Sequence, residues 1–264
     1  MKIYNRYKEY YDKYGLVKTL TKIISKPLRI INKRIAYKNF NNLKKNIFSQ
    51  NSIKDKFSYI YSSHYWPSKE SVSGPGSELD NTENIRKELA KLINQYKIKK
   101  FLDVPCGDFN WIQHLINKDI QYVGGDIVTE LIRLNKKKFT NSNVEFIEIN
   151  LVDDALPQAD LMLCRDCLIH LSNNNIRKFL NNFINSEINY LLVTSYETNL
   201  DRKNIEYNQE IKDGDFRPTF LMEEPFNLPV PIIKILDKDV EHRNNTNLKC
   251  YLYLYSKKQL KVID

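Results

Sequence analysis

From about residue 97 onward, short apolar runs alternate with segments of helical spacing, and this alternation constrains the fold more than any other feature. Ile98–Val104 reads as a buried strand, Phe109–Asn117 as a helix, Ile120–Gly125 as a second strand and Val128–Phe139 as a second helix. Val144–Ile149 and Leu161–Cys164 follow as strands, then a helix over Ser172–Ile184 with Ser172 as its cap, then a strand at Tyr190–Ser195. After a long loop, Ile232–Leu236 and Leu248–Tyr255 supply two more. Strands alternating with helices predict an α/β fold, a mainly parallel seven-stranded sheet flanked by helices and joined by right-handed crossovers. Ligands of such sheets sit beyond the carboxyl ends of the strands. Three successive strand ends here carry Asp103, Asp126 and Asn150, where apolar residues would otherwise continue.

The first strand runs into Asp103-Val-Pro-Cys-Gly107-Asp108. A dinucleotide site needs three glycines to bring backbone against a pyrophosphate, and only Gly107 is present. A nicotinamide enzyme is therefore disfavoured. A ligand without phosphate, needing one close backbone approach and acceptors for an amino group, suits Asp103, Gly107 and Asp108. An acid at the end of the second strand, Asp126, can accept both hydroxyls of a ribose. Asn150 suits an adenine edge, with Leu151 against the ring.

On these residues the segment Phe101–Tyr196 resembles the Rossmann-like class I S-adenosylmethionine (SAM)-dependent methyltransferases, with Pro105 standing where the family commonly has glycine. The resemblance implies SAM as cofactor and S-adenosylhomocysteine (SAH) as product. It places Asp103, Pro105, Gly107, Asp108, Asp126, Ile127, Asn150, Leu151 and Arg165 around the cofactor. The acceptor is expected at Arg165-Asp-Cys-Leu-Ile-His-Leu171, after the fourth strand. There His170 is the expected base, since its pKa lies near working pH, and Asp166 either shares that role or orients the acceptor. The plainer alternatives are that His170 packs the next helix and that Asp166 pairs with Arg165. Cys164, Cys167 and His170, with Cys106, have the elements of a zinc site, but a strand alternates its faces and no metal is expected.

Two loops complete the expected site. Tyr65–Ser77 is rich in serine and glycine, suiting either a lid or a plain linker, with Glu70, Ser73, Gly74, Gly76 and Ser77 as acceptor contacts. The segment from Gly214 to Pro231 carries Arg217, suited to a phosphate or carboxylate. Together these loops resemble a bacterial subgroup of surface-polysaccharide gene clusters. That resemblance implies O-methylation of a sugar, sugar nucleotide or phosphoramidate during capsule or related glycan synthesis.

Net charge separates the N-terminal arm from the rest. Of the formal +9, residues 1–50 hold thirteen basic side chains against Glu9 and Asp12, so the remainder is slightly acidic. Within the arm Leu16, Leu20, Ile23, Ile24, Leu28, Ile30, Ile31 and Ile35 recur at helical spacing. A basic helical extension over 1–50 is expected, docked on its own domain or making a peripheral membrane or homodimer contact. A lead-in of loop and helix over 51–96 and a core over 97–264 follow. A nucleic-acid methyltransferase would exploit the arm, but base-directed enzymes usually carry an Asp/Asn-Pro-Pro-aromatic motif after strand four, where this chain has Arg165-Asp-Cys-Leu, so no nucleic-acid partner is expected. A non-catalytic scaffold at the membrane is the remaining alternative. Four cysteines without a disulfide framework and no long apolar run fit a cytoplasmic protein, peripheral at most to the inner membrane face.

Overall fold

The computed structural model describes Ser25 and residues 34–198, 206–241 and 247–260. Two compact units result, Met1–Asn46 and Ile47–Asp264. Of the first unit, Ser25 and residues 34–46 are helical. The apolar positions expected on the basic arm, from Leu16 to Ile31, lie outside the described residues. No helix among the described residues is long and apolar enough to cross a membrane.

The second unit is built on seven strands: β1 Lys100–Asp103, β2 Gln121–Asp126, β3 Val144–Glu148, β4 Ala159–Cys164, β5 Ile188–Thr198, β6 Ile233–Glu241 and β7 Asn247–Ser256. Their order is β3-β2-β1-β4-β5-β7-β6. β1 to β5 pair in parallel, and β7 runs antiparallel between β5 and β6. This is the mainly parallel seven-stranded Rossmann-like sheet expected of the class.

Both faces are covered, which explains why the strands read as continuous apolar runs. Successive residues point to opposite sides. Leu102, Met162, Leu191 and Val193 pack on one face with Phe179 and Phe183 of helix α4 (Asn173–Asn185) and Leu260 of α5 (Lys257–Leu260). Phe101, Tyr122, Leu161, Leu163 and Leu192 pack on the other. They meet Leu89 and Leu92 of α2 (Glu83–Gln95) and Ile132 of α3 (Thr129–Phe139). Ser172 caps α4 as expected, accepting from the Asn175 backbone N–H. Helix α1 (Ile53–Ser62) precedes this framework and contributes Ile53, Phe57, Ile60 and Tyr61 to the wall of the central cavity.

The helix expected over Phe109–Asn117 is a single 3-10 turn, Ile112–His114. Phe109 takes a left-handed φ of 60°, and the Asn110 side chain is drawn to Glu70 and the Ser77 carbonyl, so no regular helix can start there. Gly125 is required by packing: a Cβ on it would lie 2.5 Å from Ile149 Cγ2 and 2.8 Å from Val104 Cγ2.

Arg217, expected at an anionic acceptor, is buried in the loop before β6. Its guanidinium donates to Gln209 O, Leu168 O, Leu171 O, Thr219 Oγ1 and Asn173 Oδ1. It therefore staples the long loop to the segment after β4, and it does not line the cavity. Burial pulls its pKa down to about 10. Arg217→Met should orphan several buried carbonyls and cost about 3 kcal/mol or more of stability, read by chemical denaturation. A change below about 0.5 kcal/mol would contradict the staple.

Candidate active site

One cleft opens along the carboxyl edge of the sheet, enclosing about 1090 Å³ including its mouth. Its floor carries Asp103, Val104, Pro105, Cys106, Gly107 and Asp108 after β1, Asp126 and Ile127 after β2, and Asn150 and Leu151 after β3. Arg165, Asp166, Cys167 and His170 follow β4, and Trp66, Val72, Ser73 and Ser77 roof it. All nine residues expected around the cofactor thus line one cleft. Glu70, Gly74 and Gly76 do not line it. Glu70 instead accepts from Leu79 N and Asn110 Nδ2, while the Gly76 carbonyl accepts from Arg165 Nη2 at 2.9 Å.

The turn after β1 is held by both neighbours. Gly107 has φ +55, a conformation costly for side-chain-bearing residues, and a Cβ there would sit 2.2 Å from Ser73 Oγ. Its N–H points at Asp126 Oδ2 at 3.2 Å. Asp126 Oδ1 accepts from Val128 N at 3.0 Å, so the carboxylate is fixed by backbone and retains further lone pairs toward the cleft. Asp108, expected beside the cofactor, lines the cleft and also fastens the loop above it. Its two oxygens accept from Ser71 Oγ and Val72 N, and its N–H donates to Ser73 Oγ. The Ser-Gly segment is accordingly a strap closed over the turn, and not a free linker. Asn150 spends its amide on its own turn, donating to Asp153 and accepting from Val152 N. Its neighbour Leu151 lines the cleft beside Ile127.

Burial dominates the acids on the floor. It raises the Asp103 carboxyl from 3.8 to about 7, partly countered by the Tyr122 hydroxyl donating at 2.8 Å and by Arg165. It raises Asp126 to about 6 against the pull of three backbone N–H groups. Between about pH 4 and 7 these two acids therefore keep protons that the unfolded chain releases, and their contribution to ligand-free stability should fall as pH rises through that window, while His170, whose pKa burial lowers, acts in the opposite sense. Denaturation midpoints between pH 5 and 8 in His170→Ala measure the acids' share, and a rising midpoint there would contradict it.

After β4 lies a buried charge network of which the sequence suggested one part, the pairing of Asp166 with Arg165, seen here at 3.6 Å. A register shift in β6 between Leu236 and Lys238 sets Asp237 and Lys238 against Arg165 and Asp166. Arg165 donates from Nε and Nη2 to Asp237 at 3.0 Å each and lies over the Trp111 ring at 5.4 Å. Burial opposes the Arg165 charge, but Asp166 and Asp237 more than compensate. Burial likewise opposes ionisation of Asp166, yet Arg165 and Lys238 hold its carboxyl at about 2. Asp166, Asp237 and Cys250 approach within 4.8 Å of one another, but Arg165 and Lys238 already neutralise the two carboxylates. The cysteines that suggested zinc do not converge, since Cys164 and Cys167 belong to the core of one face and Cys106 to the other.

His170 stands between two rings, Trp66 at 4.7 Å between centroids and Phe216 at 5.9 Å. Its Nδ1 lies 2.8 Å from the Asp215 carbonyl, which can only accept, so Nδ1 carries the proton and the lone pair is on Nε2. Burial lowers its pKa below 6.5, leaving the ring neutral at pH 7. Trp66, Trp111, Asp237, Lys238 and the apolar wall from α1 were not anticipated. Trp66 sits in the serine-rich loop beside the expected contacts, which was a usable signal; Asp237 and Lys238 had none, because a bulge is invisible in the sequence.

No protein-family model matches this chain, and no curated protein matches it. Solved structures are similar in outline. The methyltransferase domain of bacterial CtHen1 shares 15% identity at a TM-score of 0.47, covering 66% of this chain and 100% of that one. N-methyltransferase NodS from Bradyrhizobium japonicum WM9 shares 11% at 0.45, covering 66% and 98%. PigF with SAH shares 9% at 0.49, covering 82% and 68%. At such distances these are likenesses of outline, and the reading of the site rests on its own geometry.

Proposed function

We propose that the protein is a SAM-dependent methyltransferase that transfers a methyl group to a hydroxyl of a small polar acceptor, with His170 as general base. The single observation that carries this reading is one cleft lined by the Gly107 turn, Asp126 and His170, whose Nδ1 is engaged by the Asp215 carbonyl so that Nε2 holds the lone pair. The floor fits a phosphate-free nucleoside: a tight backbone approach at Gly107, carboxylates at Asp126 and Asp103, and apolar Ile127 and Leu151. Asp126 would take the ribose, and the backbone around Pro105–Gly107 the chain beyond it. Bound there, SAM supplies an electrophilic methyl group on a sulfonium centre.

The residues after β4 then manage the acceptor. His170 Nε2 takes the hydroxyl proton as the oxygen becomes nucleophilic, and the Asp215 carbonyl steadies the imidazolium that forms. Trp66, Phe57, Ile60 and Tyr61 exclude water from the reacting atoms. With Arg217 engaged by the loop, Arg165 is the only cation among the described lining residues, and it is paired with Asp237. The favoured acceptor is therefore a hydroxyl compound without negative charge, such as a sugar or amino sugar, and the likeness of the two loops to glycan-cluster enzymes suggests surface-polysaccharide synthesis as its setting.

A coupled assay for SAH formation with sugars and amino sugars, and with anionic sugar nucleotides as the disfavoured comparison, tests the reaction. Turnover confined to hydroxyl acceptors supports it. Binding of SAM without turnover across that series would favour a non-catalytic scaffold. Since the cofactor carries net positive charge, its affinity should rise with pH as Asp126 and Asp103 ionise between about pH 5.5 and 7.5. Calorimetry in that range reads the effect, and a pH-independent Kd would count against contact with these acids.

A further inference from the structure

Two buried side-chain oxygens among the described residues have no hydrogen-bond partner, Tyr255 Oη in the core and Asp166 Oδ1. Of the two, only Asp166 lines the cleft. Its position is fixed from several sides. The backbone takes a left-handed φ of 51°, and its N–H donates to Thr194 Oγ1 at 2.8 Å. Oδ2 accepts from Lys238 Nζ at 3.0 Å and lies 3.6 Å from Arg165 Nη1. The second oxygen is left bare, at a cost usually met by a partner.

The neighbouring cations are already engaged, Arg165 with Asp237 and the Gly76 carbonyl and Lys238 with Oδ2. Asp103 and Asp126 line the same cleft. A cationic N–H donor is therefore favoured there over a neutral one, and an anion is disfavoured. A carboxylate held this firmly ionised is also a weak base, which leaves proton removal to His170.

We propose that Asp166 Oδ1 is the seat of a protonated amine on a bound ligand, and that Asp166 positions that ligand without deprotonating it. The reading rests on the methyltransferase assignment for its two sources of amine. One is the amino-acid end of the cofactor: Asp166 follows β4, two strand spacings or about 10 Å across the sheet edge from Asp126. The other is an amine on the acceptor, beside His170.

Two arms separate the sources. In the first, SAH and 5′-methylthioadenosine, which lacks the amino acid, are titrated calorimetrically into the unaltered protein and Asp166→Asn. In the second, n-propylammonium, n-propanol and propionate are compared by saturation-transfer NMR on both SAH-loaded proteins. A loss of about tenfold or more for SAH with methylthioadenosine unchanged assigns the seat to the cofactor. SAH unchanged, with a propylammonium signal that exceeds those of propanol and propionate and disappears in Asp166→Asn, assigns it to the acceptor. Equal loss for both nucleosides, or no change in either arm, overturns the proposal. If SAH fails to bind the unaltered protein, the methyltransferase reading falls instead, and the amine series on the free protein still decides Asp166.

Discussion

Asp126→Ala should weaken SAM and SAH by about a hundredfold or more in calorimetric titration, because two charge-assisted hydrogen bonds to a ribose vanish together. The same change removes the acceptor for Gly107 N and Val128 N, so the turn after β1 loosens as well. Asp126→Asn separates the contributions. It keeps an oxygen for one backbone N–H and should retain a cooperative melt, yet its amide cannot accept two hydroxyls. Near-normal SAH affinity in Asp126→Asn would remove the acid from the cofactor site.

His170→Ala is the second large effect and falls on a different quantity. Removing a general base usually costs about 10²–10⁴ in turnover. SAH affinity should change by less than about threefold if His170 meets the acceptor and not the cofactor, as proposed. For the unaltered enzyme at saturating SAM, kcat should rise with pH and level off with an apparent pKa below 6.5, the direction in which burial moves this imidazole. The rate should fall below that pKa as Nε2 becomes protonated. Unaltered turnover in His170→Ala would leave Nε2 as a packing atom between Trp66 and Phe216.

Much of this site was legible because acids at the ends of consecutive buried strands have few other reasons to be there. Asp103 and Asp126 announced the carboxyl edge, and the lone Gly107 argued against a pyrophosphate. His170 stood out by residue type and by its place after strand four. Residues whose meaning depends on long-range contact were misread or missed. Arg217 resembles an anion ligand in the sequence, but five acceptors supplied by the backbone and by neighbouring side chains consume its guanidinium. Asp108 lines the cleft as its spacing suggested, but its second task, accepting from the serine strap with both oxygens, was missed. Asp237 and Lys238 reach Arg165 and Asp166 only through a register shift in β6. The segment from Phe109 shows helical periodicity, yet its polar groups are spent on the strap.

The central claim is a phosphate-free nucleoside cofactor seated over Gly107 and Asp126, and a calorimetric titration with SAH tests it most directly. The account predicts saturable binding at one site per chain, competed by SAM and lost in Asp126→Ala, with no comparable binding of nicotinamide dinucleotides. Absence of SAH and SAM binding by the folded protein, or preferential binding of a dinucleotide, would contradict it.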